Sequence, residues 1–487
     1  MKALAYHGGL LATAWAGIAA ERTQNFDHDP GWDGHNNRAL RPEPRQVRQD
    51  FGYSRTSHAG GAAGEMGGFI SPAAEAAYYA KEIPAKTFED SLSASGKLAC
   101  TGREFHVLVG FFNASTLNEW RTPNTIALRL YGRGNVFYAY IEYATSHWRA
   151  GGDYPTGFAT IRDPATGRDR LKGFAAGTNV HRWTLTYDPN GNDGNGSMRV
   201  TLDDETAVCH LAGGHKADGA TFNRFGLLNV MKQADGGGEV WLDDVTINGQ
   251  TESFDTDPHW SQFQNHRTYI TQIVRPRFDF GFSATGYAGG KESGEMGGLI
   301  FRGDGRYTNM MAFYGDRLEE LSLARPLKAS GKITLRRGVS DADVLFGFFH
   351  AEHSLNSGGS DGTSTPPDFI GLAIGGPSRE GFYVTPAYRL HGSESKTGPL
   401  GPYLYPDGKP HDWTFEYVPF KPNQDRSPSG FIMATLDKDR VTLQMPVAHQ
   451  QLGAHFNRFG LISTHTDGNS QEIYFDDLIY TWSQGQQ

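Results

Sequence analysis

Cysteine is scarce in this sequence, because Cys100 and Cys209 are the only two among 487 residues. Two cysteines are too few for a disulfide framework or for a zinc site built on cysteine. Beyond the N-terminal region, the chain also lacks any apolar run long enough to cross a membrane as a helix. The sequence therefore fits neither a small disulfide-stabilised protein nor a protein with membrane-spanning helices.

Basic segments are lacking as well. Charged residues make up 20% of the chain, its formal net charge is −9, and no cluster of lysine and arginine stands out. Binding to nucleic acid or to an anionic membrane surface normally requires a basic patch. The composition therefore argues against both kinds of partner.

The first 20 residues resemble a secretory signal peptide. Lys2 precedes a mostly apolar segment that ends in small residues, with Ala14–Ala16 or the residues up to Ala20 as cleavage sites. His7, Gly8 and Gly9 interrupt the apolar segment, so the alternative is an uncleaved tail. The prediction is a signal peptide over residues 1–20 and a secreted or periplasmic protein.

The rest of the chain repeats itself in order. "NFDHDPGWDGHNN" from Asn25 matches "SFDTDPHWSQFQN" from Ser253, "GEMGG" occurs twice, and "FNRFGLL" is followed later by "FNRFGLI". Matched positions lie 228 residues apart near the start of each copy and 233 apart near the end. A collinear match with a slowly drifting offset is typical of a duplicated domain. We expect a first unit over residues 21–250 and a second over 251–487.

Each unit consists of short runs that alternate apolar and polar residues, such as Val136–Thr145 and Glu239–Ile247. Glycine, asparagine, aspartate and proline separate the runs, and the chain holds 62 glycines. Alternation with period two indicates half-buried antiparallel strands. The predicted fold class is all-β, with two tandem antiparallel β-sandwich (jelly-roll) domains.

Three motifs carry a resemblance to a known family. The "FDxDPxW" opening, the "GFF" strand and the closing "DDV" or "DDL" resemble concanavalin A-like (laminin-G-type) jelly rolls of secreted bacterial carbohydrate-active proteins. The resemblance spans nearly the whole chain after residue 20 and implies a carbohydrate partner. The "ExDxxE" signature of jelly-roll glycosidases does not occur, nor do the "QIH" and "YFKAG" strings of alginate lyases. No catalytic residue is therefore carried over from a family.

Residues that occur in both copies are expected to build the fold. Glu65 and Glu295 occupy the same place in the two "GEMGG" strings, so we expect structural carboxylates paired with backbone amides or with a repeated arginine (Arg224 or Arg458), and the alternative is catalysis by Glu65. Cys100 and Cys209 each align with a leucine of the other copy. We therefore expect small buried hydrophobic groups there, with a disulfide as the alternative.

Aspartates flank both units. Those of the first unit open and close it, and those of the second unit do the same: Asp27, Asp243 and Asp244, then Asp255, Asp476 and Asp477. The resemblance implies that first and last strands lie side by side. Carboxylates and backbone carbonyls would then hold a structural Ca²⁺ ion, and the alternative is that the aspartates cap turns.

Function is expected where the copies differ. On two neighbouring strands of copy one, a single face carries polar and aromatic residues: Arg129, Tyr131, Tyr138, Tyr140 and Glu142. Copy two has Ala373 opposite Arg129 and, by sequence alignment, Phe382 opposite Glu142. Tyrosine rings suit stacking on a sugar ring. The face is predicted to bind a polysaccharide, and the alternative is that it packs against copy two.

Loops beside that face add further candidates, namely Glu119, Trp120, Arg121, His147, Trp148, Arg149 and Asp153. A glycoside hydrolase, the leading prediction, would use Glu142 as general acid with Glu119 or Asp153 as its partner. A polysaccharide lyase would use Tyr140 or His147 as base, with arginines on the uronate. A non-catalytic binding or cell-surface module is the third reading.

Overall fold

The structure is a computed structural model that describes residues 20–484, apart from 40–42, 103, 119–121, 153–157, 159, 163, 165–166, 168, 276, 357–363, 421–428 and 467. The predicted signal peptide lies outside this range except for Ala20, which begins the first strand. Within these ranges, no helix is long and apolar enough to cross a membrane.

The described residues up to residue 271 form 21 strands and one short helix. The strands are β1 (Ala20–Gln24), β2 (Asp33–His35), β3 (Arg45–Ser54), β4 (Glu65–Ile70), β5 (Tyr78–Thr87), β6 (Leu92–Gly102), β7 (His106–Phe112), β8 (Thr125–Arg133), β9 (Val136–Ala144), β10 (Ala150–Gly152), β11 (Thr160–Arg162), β12 (Asp169–Leu171), β13 (Phe174–Ala175), β14 (His181–Asp188), β15 (Ser197–Leu202), β16 (Glu205–His210), β17 (Thr221–Asn229), β18 (Gly238–Ile247), β19 (Gln250–Glu252), β20 (Ser261–Phe263) and β21 (His266–Thr271). Helix α1 (His215–Asp218) is a single turn.

The remaining chain adds 13 strands. They are β22 (Phe278–Ser283), β23 (Glu295–Phe301), β24 (Phe313–Ser322), β25 (Leu327–Gly338), β26 (Ala342–Phe349), β27 (Phe369–Gly376), β28 (Tyr383–Arg389), β29 (Lys396–Thr397), β30 (His411–Val418), β31 (Ser429–Leu436), β32 (Asp439–Pro446), β33 (His455–Ser463) and β34 (Ser470–Ser483). Helix α2 (Val447–Leu452) and 3₁₀ turns at Thr308–Met310 and His353–Leu355 complete the elements.

Two sheets form the first sandwich. One has the order β16-β15-β14-β6-β18-β4-β3-β21, and the other has the order β10-β9-β8-β7-β17-β5-β20. Side chains from both sheets meet in one core, where Leu98 and Trp183 of the first sheet join Val107 and Ile126 of the second. Burial of the inner face of each sheet against the other is what stabilises a sandwich.

The second sandwich has the same plan. Its sheets have the orders β22-β23-β34-β25-β30-β31-β32 and β2-β24-β33-β26-β27-β28-β29. Trp413 and Phe475 of one sheet meet Phe346 and Phe459 of the other in the core. The predicted all-β fold class is thereby confirmed, and all pairings between the named strands are antiparallel in the part of the chain that the structure describes.

The opening segment of the chain lies on the second sandwich. We name residues 20–38 the first strap. Strand β1 pairs with the last strand, so that Ala20 lies opposite Ser483, and β2 pairs with β24. Phe26 is fully buried in the second core. Strand pairing therefore assigns the first strap to the sheets of residues 251–487, although its sequence opens the first repeat.

The matching segment of copy two, which we name the second strap (residues 248–266), completes the first sandwich. Its strand β19 pairs with β18, and β20 pairs with β5. Phe254 and Trp260 are buried in the first core. The two straps are thus equivalent in sequence and in position, and each is built into the sandwich of the other repeat.

The straps explain the repeated glycine of "GEMGG". Gly64 has a φ of 122°, and a Cβ there would lie 2.0 Å from the carbonyl oxygen of Phe254 in the second strap. Gly294 has a φ of 125°, and its Cβ would lie 1.9 Å from the carbonyl oxygen of Phe26. Only glycine admits such a close backbone approach.

The repeated glutamates are structural, as predicted. The buried carboxylate of Glu65 accepts hydrogen bonds from the backbone N–H groups of His58 (2.8 Å) and Ala59 (2.7 Å). Glu295 accepts from those of Tyr287 (2.9 Å) and Ala288 (2.7 Å). Each glutamate therefore holds the loop that precedes its own strand.

The cysteines are free and buried. Cys100 packs in the first core together with Cys209, and burial raises the pKa of the Cys100 thiol. The prediction of small buried hydrophobic groups is confirmed, and the alternative of a disulfide is wrong.

Replacing Glu295 tests its structural role. We expect Glu295→Ala to lower the free energy of unfolding by about 2–4 kcal/mol, because two buried N–H groups lose their acceptor. The control is Glu292→Ala, an exposed glutamate of the same loop, which should change stability little. Urea denaturation followed by fluorescence measures both. Equal stability of the two variants would contradict the structural role.

Candidate functional site

A buried ion pair occupies the outer face of one sheet of the first sandwich. Arg129 on β8 and Glu142 on β9 are both almost fully buried, with 3.1 Å between Arg129 Nη1 and Glu142 Oε2. Arg129 Nη2 donates to His106 Nδ1 at 3.0 Å. Because the Glu142 carboxylate is shielded from solvent and bonded to a guanidinium, it is a structural charge in this conformation.

The ion pair belongs to a wider buried network. Burial and the nearby charges of Arg129 and Lys232 hold the pKa of His106 well below its usual value, so this imidazole is neutral. Burial also lowers the pKa of Lys232, whose Nζ lies 2.7 Å from the Asp235 carboxylate. Such a network is costly to break at one member, because the remaining charge stays buried.

The strand register corrects part of the alignment between the copies. Gly110 pairs with Ala127, which pairs with Glu142, and the matching ladder in copy two runs through Gly347, Gly371 and Ala387. The equivalent of Glu142 is therefore Ala387 and not Phe382, which packs in the second core.

The same ladders place two further pairs. Ala373 is the equivalent of Arg129, as predicted, and Asp343 is the equivalent of His106. Alignment by sequence alone would match Arg149 with Arg389, because each follows an aromatic residue, Trp148 and Tyr388. The register is different, because Tyr388 is the equivalent of Tyr143 and Arg389 therefore follows it as Ala144 does.

The predicted tyrosines lie beside the network. Tyr131 is opposite Tyr138, and Arg129 is opposite Tyr140, so these side chains share the outer face. The Tyr131 ring centroid lies 4.2 Å from that of His106 and 6.1 Å from that of Tyr138. All three tyrosines are half-buried.

Four predicted residues, Glu119, Trp120, Arg121 and Asp153, lie outside the described residues, and their roles stay predictions. The other loop candidates follow β9 and reach the second sandwich. The His147 and Trp148 rings stack on Tyr405, with centroids 5.3 and 5.6 Å away. The Arg149 guanidinium makes two 2.5 Å bonds to the Asp218 carboxylate, which anchor this loop on its own sandwich.

Trp148 is held in a strained conformation. Its φ is 58°, in the left-handed region that bulky residues rarely adopt. Its indole packs against the second core, and within the described part of the chain its Nε1–H group is shielded from solvent without a hydrogen-bond acceptor. Strain at an aromatic residue in a cleft is typical of functional positions.

A groove of about 620 Å³ lies between the two sandwiches, and Trp148 forms part of its wall. The first sandwich and second strap contribute Glu75, Ser115, Thr116, Asn118, Phe263 and Gln264, and the second sandwich contributes Arg336, Arg337, Pro406 and Asp407. The walls thus combine aromatic rings with hydroxyl, amide and charged groups, and the volume falls in the range of small-molecule sites.

Several groove residues are tied to neighbours. The Glu75 carboxylate accepts from Tyr269 Oη at 3.1 Å, and Asp407 pairs with Lys409 Nζ at 2.6 Å. Arg337 donates to the backbone oxygen of Ala74 at 2.7 Å and so joins the two walls. These bonds hold the polar side chains of the groove in place.

Sequence reasoning singled out Trp148 and missed the other residues that line the groove. The clearest signal of the groove is the "RR" at Arg336 and Arg337, because the repeat aligns these residues with Thr101 and Gly102 of copy one. The predicted site was built from residues that copy one has and copy two lacks. Residues that copy two has and copy one lacks include both arginines.

The terminal aspartates are distributed differently from the prediction. Because the straps are exchanged, Asp27 lies on the second sandwich and Asp255 on the first. Backbone N–H groups of Asp244 and Asp477 donate to Asp243 and Asp476, each at 2.7 Å. Among the described residues, no group of three His, Cys, Asp or Glu side chains is placed to hold a metal. The calcium site stays a prediction.

Replacing one member of the ion pair tests its burial. We expect Arg129→Ala to lower the free energy of unfolding by about 3–5 kcal/mol, because the Glu142 carboxylate stays buried without its partner. The double variant Arg129→Ala/Glu142→Ala carries the residues of copy two and should lose less than Arg129→Ala alone. Urea denaturation of the wild type, the single variant and the double variant measures these free energies. A double variant less stable than the single one would contradict this account.

Asp343 is expected to make stability depend on pH. Burial raises its pKa to about 7, whereas an aspartate in an unfolded chain titrates near about 4. The native state therefore binds the extra proton, and the free energy of unfolding falls as pH rises from about 4 to 7. Asp343→Asn should remove that slope and stabilise the protein at pH 8 by on the order of 2–4 kcal/mol. Exposed Asp439→Asn is the control, and an unchanged slope in Asp343→Asn would refute the assignment.

No protein-family model matches the chain, and no curated protein sequence matches it. Solved structures do match. Domains LG4-5 of the mouse laminin alpha1 chain are 12% identical, with a TM-score of 0.24 over 90% of this chain and 91% of that one. The carbohydrate recognition domain of Emp47p is 8% identical, with a TM-score of 0.26 over 42% of this chain and 88% of that one.

A mutant of the GH43 protein BlXynB from Bacillus licheniformis is 7% identical, with a TM-score of 0.24 over 92% of this chain and 100% of that one. TM-scores this low carry no argument about function. The β-sandwich part of the family resemblance agrees with the sheets described above, and the laminin-G-type assignment stays a prediction.

Proposed function

We propose that the protein is a secreted carbohydrate-binding protein that holds a glycan in the groove between its two sandwiches. The observation that carries this proposal is Trp148, an aromatic residue kept at a left-handed φ of 58° in the wall of that groove. An indole offers a flat apolar surface to a sugar ring. Strain of this kind persists when surrounding contacts enforce it, here the stack on Tyr405.

The rest of the groove suits the same ligand. Phe263 adds a second aromatic ring, and Asn118 and Gln264 provide amide groups that both donate and accept hydrogen bonds. Sugar hydroxyl groups also donate and accept. A neutral or weakly acidic glycan fits a wall that carries both carboxylates and guanidinium groups.

Hydrolysis is the second candidate function. The sequence prediction gave Glu142 as general acid, but the Glu142–Arg129 pair is buried outside the groove lining. The groove itself has one carboxylate on each wall, Glu75 from the first sandwich and Asp407 from the second. Two carboxylates on opposite sides of a bound chain are the arrangement that glycoside hydrolases use.

Binding to a glycan panel tests the proposal. We expect Trp148→Ala to weaken retention of the preferred polysaccharide at least about tenfold, because the stacking surface is lost. Trp148→Phe should retain part of the affinity. Tyr307→Ala, which removes an exposed ring outside the groove lining, is the control. Affinity electrophoresis and calorimetry give the measurement, and a Trp148→Ala protein that binds like the wild type would refute the groove.

The same panel separates binding from catalysis. New reducing ends that appear with the wild type and not with Glu75→Gln indicate a hydrolase centred on the groove. If Glu142→Gln abolishes them while Glu75→Gln does not, the sequence prediction is right. Absorbance from unsaturated uronate products indicates a lyase. Retention without any product identifies a binding protein.

A further inference from the structure

We propose that the surface under the first strap is a docking surface for the first strap of a second copy of this chain, so that copies associate by exchanging residues 20–38. The surface is formed by β34 and β24, which belong to the two different sheets of the second sandwich. A strap bound there pairs with one strand of each sheet.

Backbone pairing and charge define the surface. Residues Ala20–Gln24 lie antiparallel to Leu478–Ser483 at the edge of the sheet. Arg22 Nη1 lies 2.6 Å from the nearly buried Asp316 carboxylate, which also accepts from Tyr480 Oη at 2.6 Å. The Arg22 guanidinium rests on the Trp482 ring at 4.5 Å. The surface therefore selects a strand with an arginine at this position.

A pocket in the core adds apolar selectivity. Phe26 is fully buried, and its ring meets Trp32 edge-on at 5.2 Å. Trp32 in turn lies 5.7 Å from Tyr314 of β24. Without the strap, the second core would lose these two aromatic side chains and expose the site that they fill. Burial of these two aromatic rings stabilises the bound strap.

The two straps differ in how the chain holds them. The second strap follows β18 directly and continues into β21, which pairs with β3. Both of its ends are therefore anchored in the sandwich that it completes. The first strap is joined to the rest of the described chain only at its C-terminal end, and it lies along β34 and β24. Opening of the first strap therefore requires no other part of the sandwich to separate.

A second copy is the partner that fits. An uncovered surface presents the unpaired edge of β34 and leaves the Asp316 carboxylate without its guanidinium. The strap of another molecule has the same sequence and restores every one of these contacts. Exchange of an identical segment between protomers is a low-cost route to a dimer, because only the connection between strap and sandwich changes.

The test is exchange between two labelled populations of the full-length protein. Donor- and acceptor-labelled samples are mixed below the urea midpoint, and energy transfer is followed together with mass by size-exclusion chromatography. We expect mixed dimers to form, and Phe26→Ala to form them at least about tenfold faster than the wild type. Arg22→Ala is the second variant, for use if Phe26→Ala does not fold.

Two controls make the outcome specific. Phe254→Ala makes the same truncation in the second strap and should lose stability without speeding exchange. Thr23→Cys/Ile479→Cys joins two opposite exposed positions by a disulfide, so the oxidised protein should not exchange and the reduced protein should. Exchange by the oxidised protein, equal rates for Phe26→Ala and Phe254→Ala, or no mixed species in any variant would each overturn the proposal.

Discussion

The pairing of the first described strand with the last one is the constraint on which the rest of the molecule depends. Because Ala20–Gln24 lies on β34, the chain has to cross from the second sandwich to the first after residue 38 and return before β22. Asn37 and Asn265 lie near the ends of the two straps, and each donates its side-chain amide to a backbone oxygen of the sandwich that its strap completes, Phe280 and Phe51. The two sandwiches are therefore linked by two crossings of the chain, and each strap is fastened to the sandwich that it completes.

Much of the fold could be predicted from the sequence, because a residue that the fold requires occurs at the same place in both copies. The structural role of Glu65 and Glu295 followed from their presence in both "GEMGG" strings, and the two buried thiols followed from leucines at the aligned positions. The strand class followed from alternation. All of these are local properties, which one copy shares with the other.

The exchange of straps could not be predicted in the same way. Phe26 and Phe254 are repeated residues that fill equivalent pockets in the two cores, so their presence does not indicate which sandwich each strap completes. The site was hard to predict from the sequence for a related reason. Alternation placed Arg129 and Glu142 on one face correctly, but it carries no information on what covers that face. A buried ion pair and an open sugar platform have the same sequence pattern.

The pairing of the first and last described strands has a mechanical consequence. Ala20 lies opposite Ser483, so the start of β1 and the end of β34 lie at the same end of one antiparallel pair. A force that pulls the ends apart would open this pair one hydrogen bond after another, as a zipper opens, and would not load all of its bonds together in shear. Under tension, β1 would peel away from β34 first, before Phe26 left the second core.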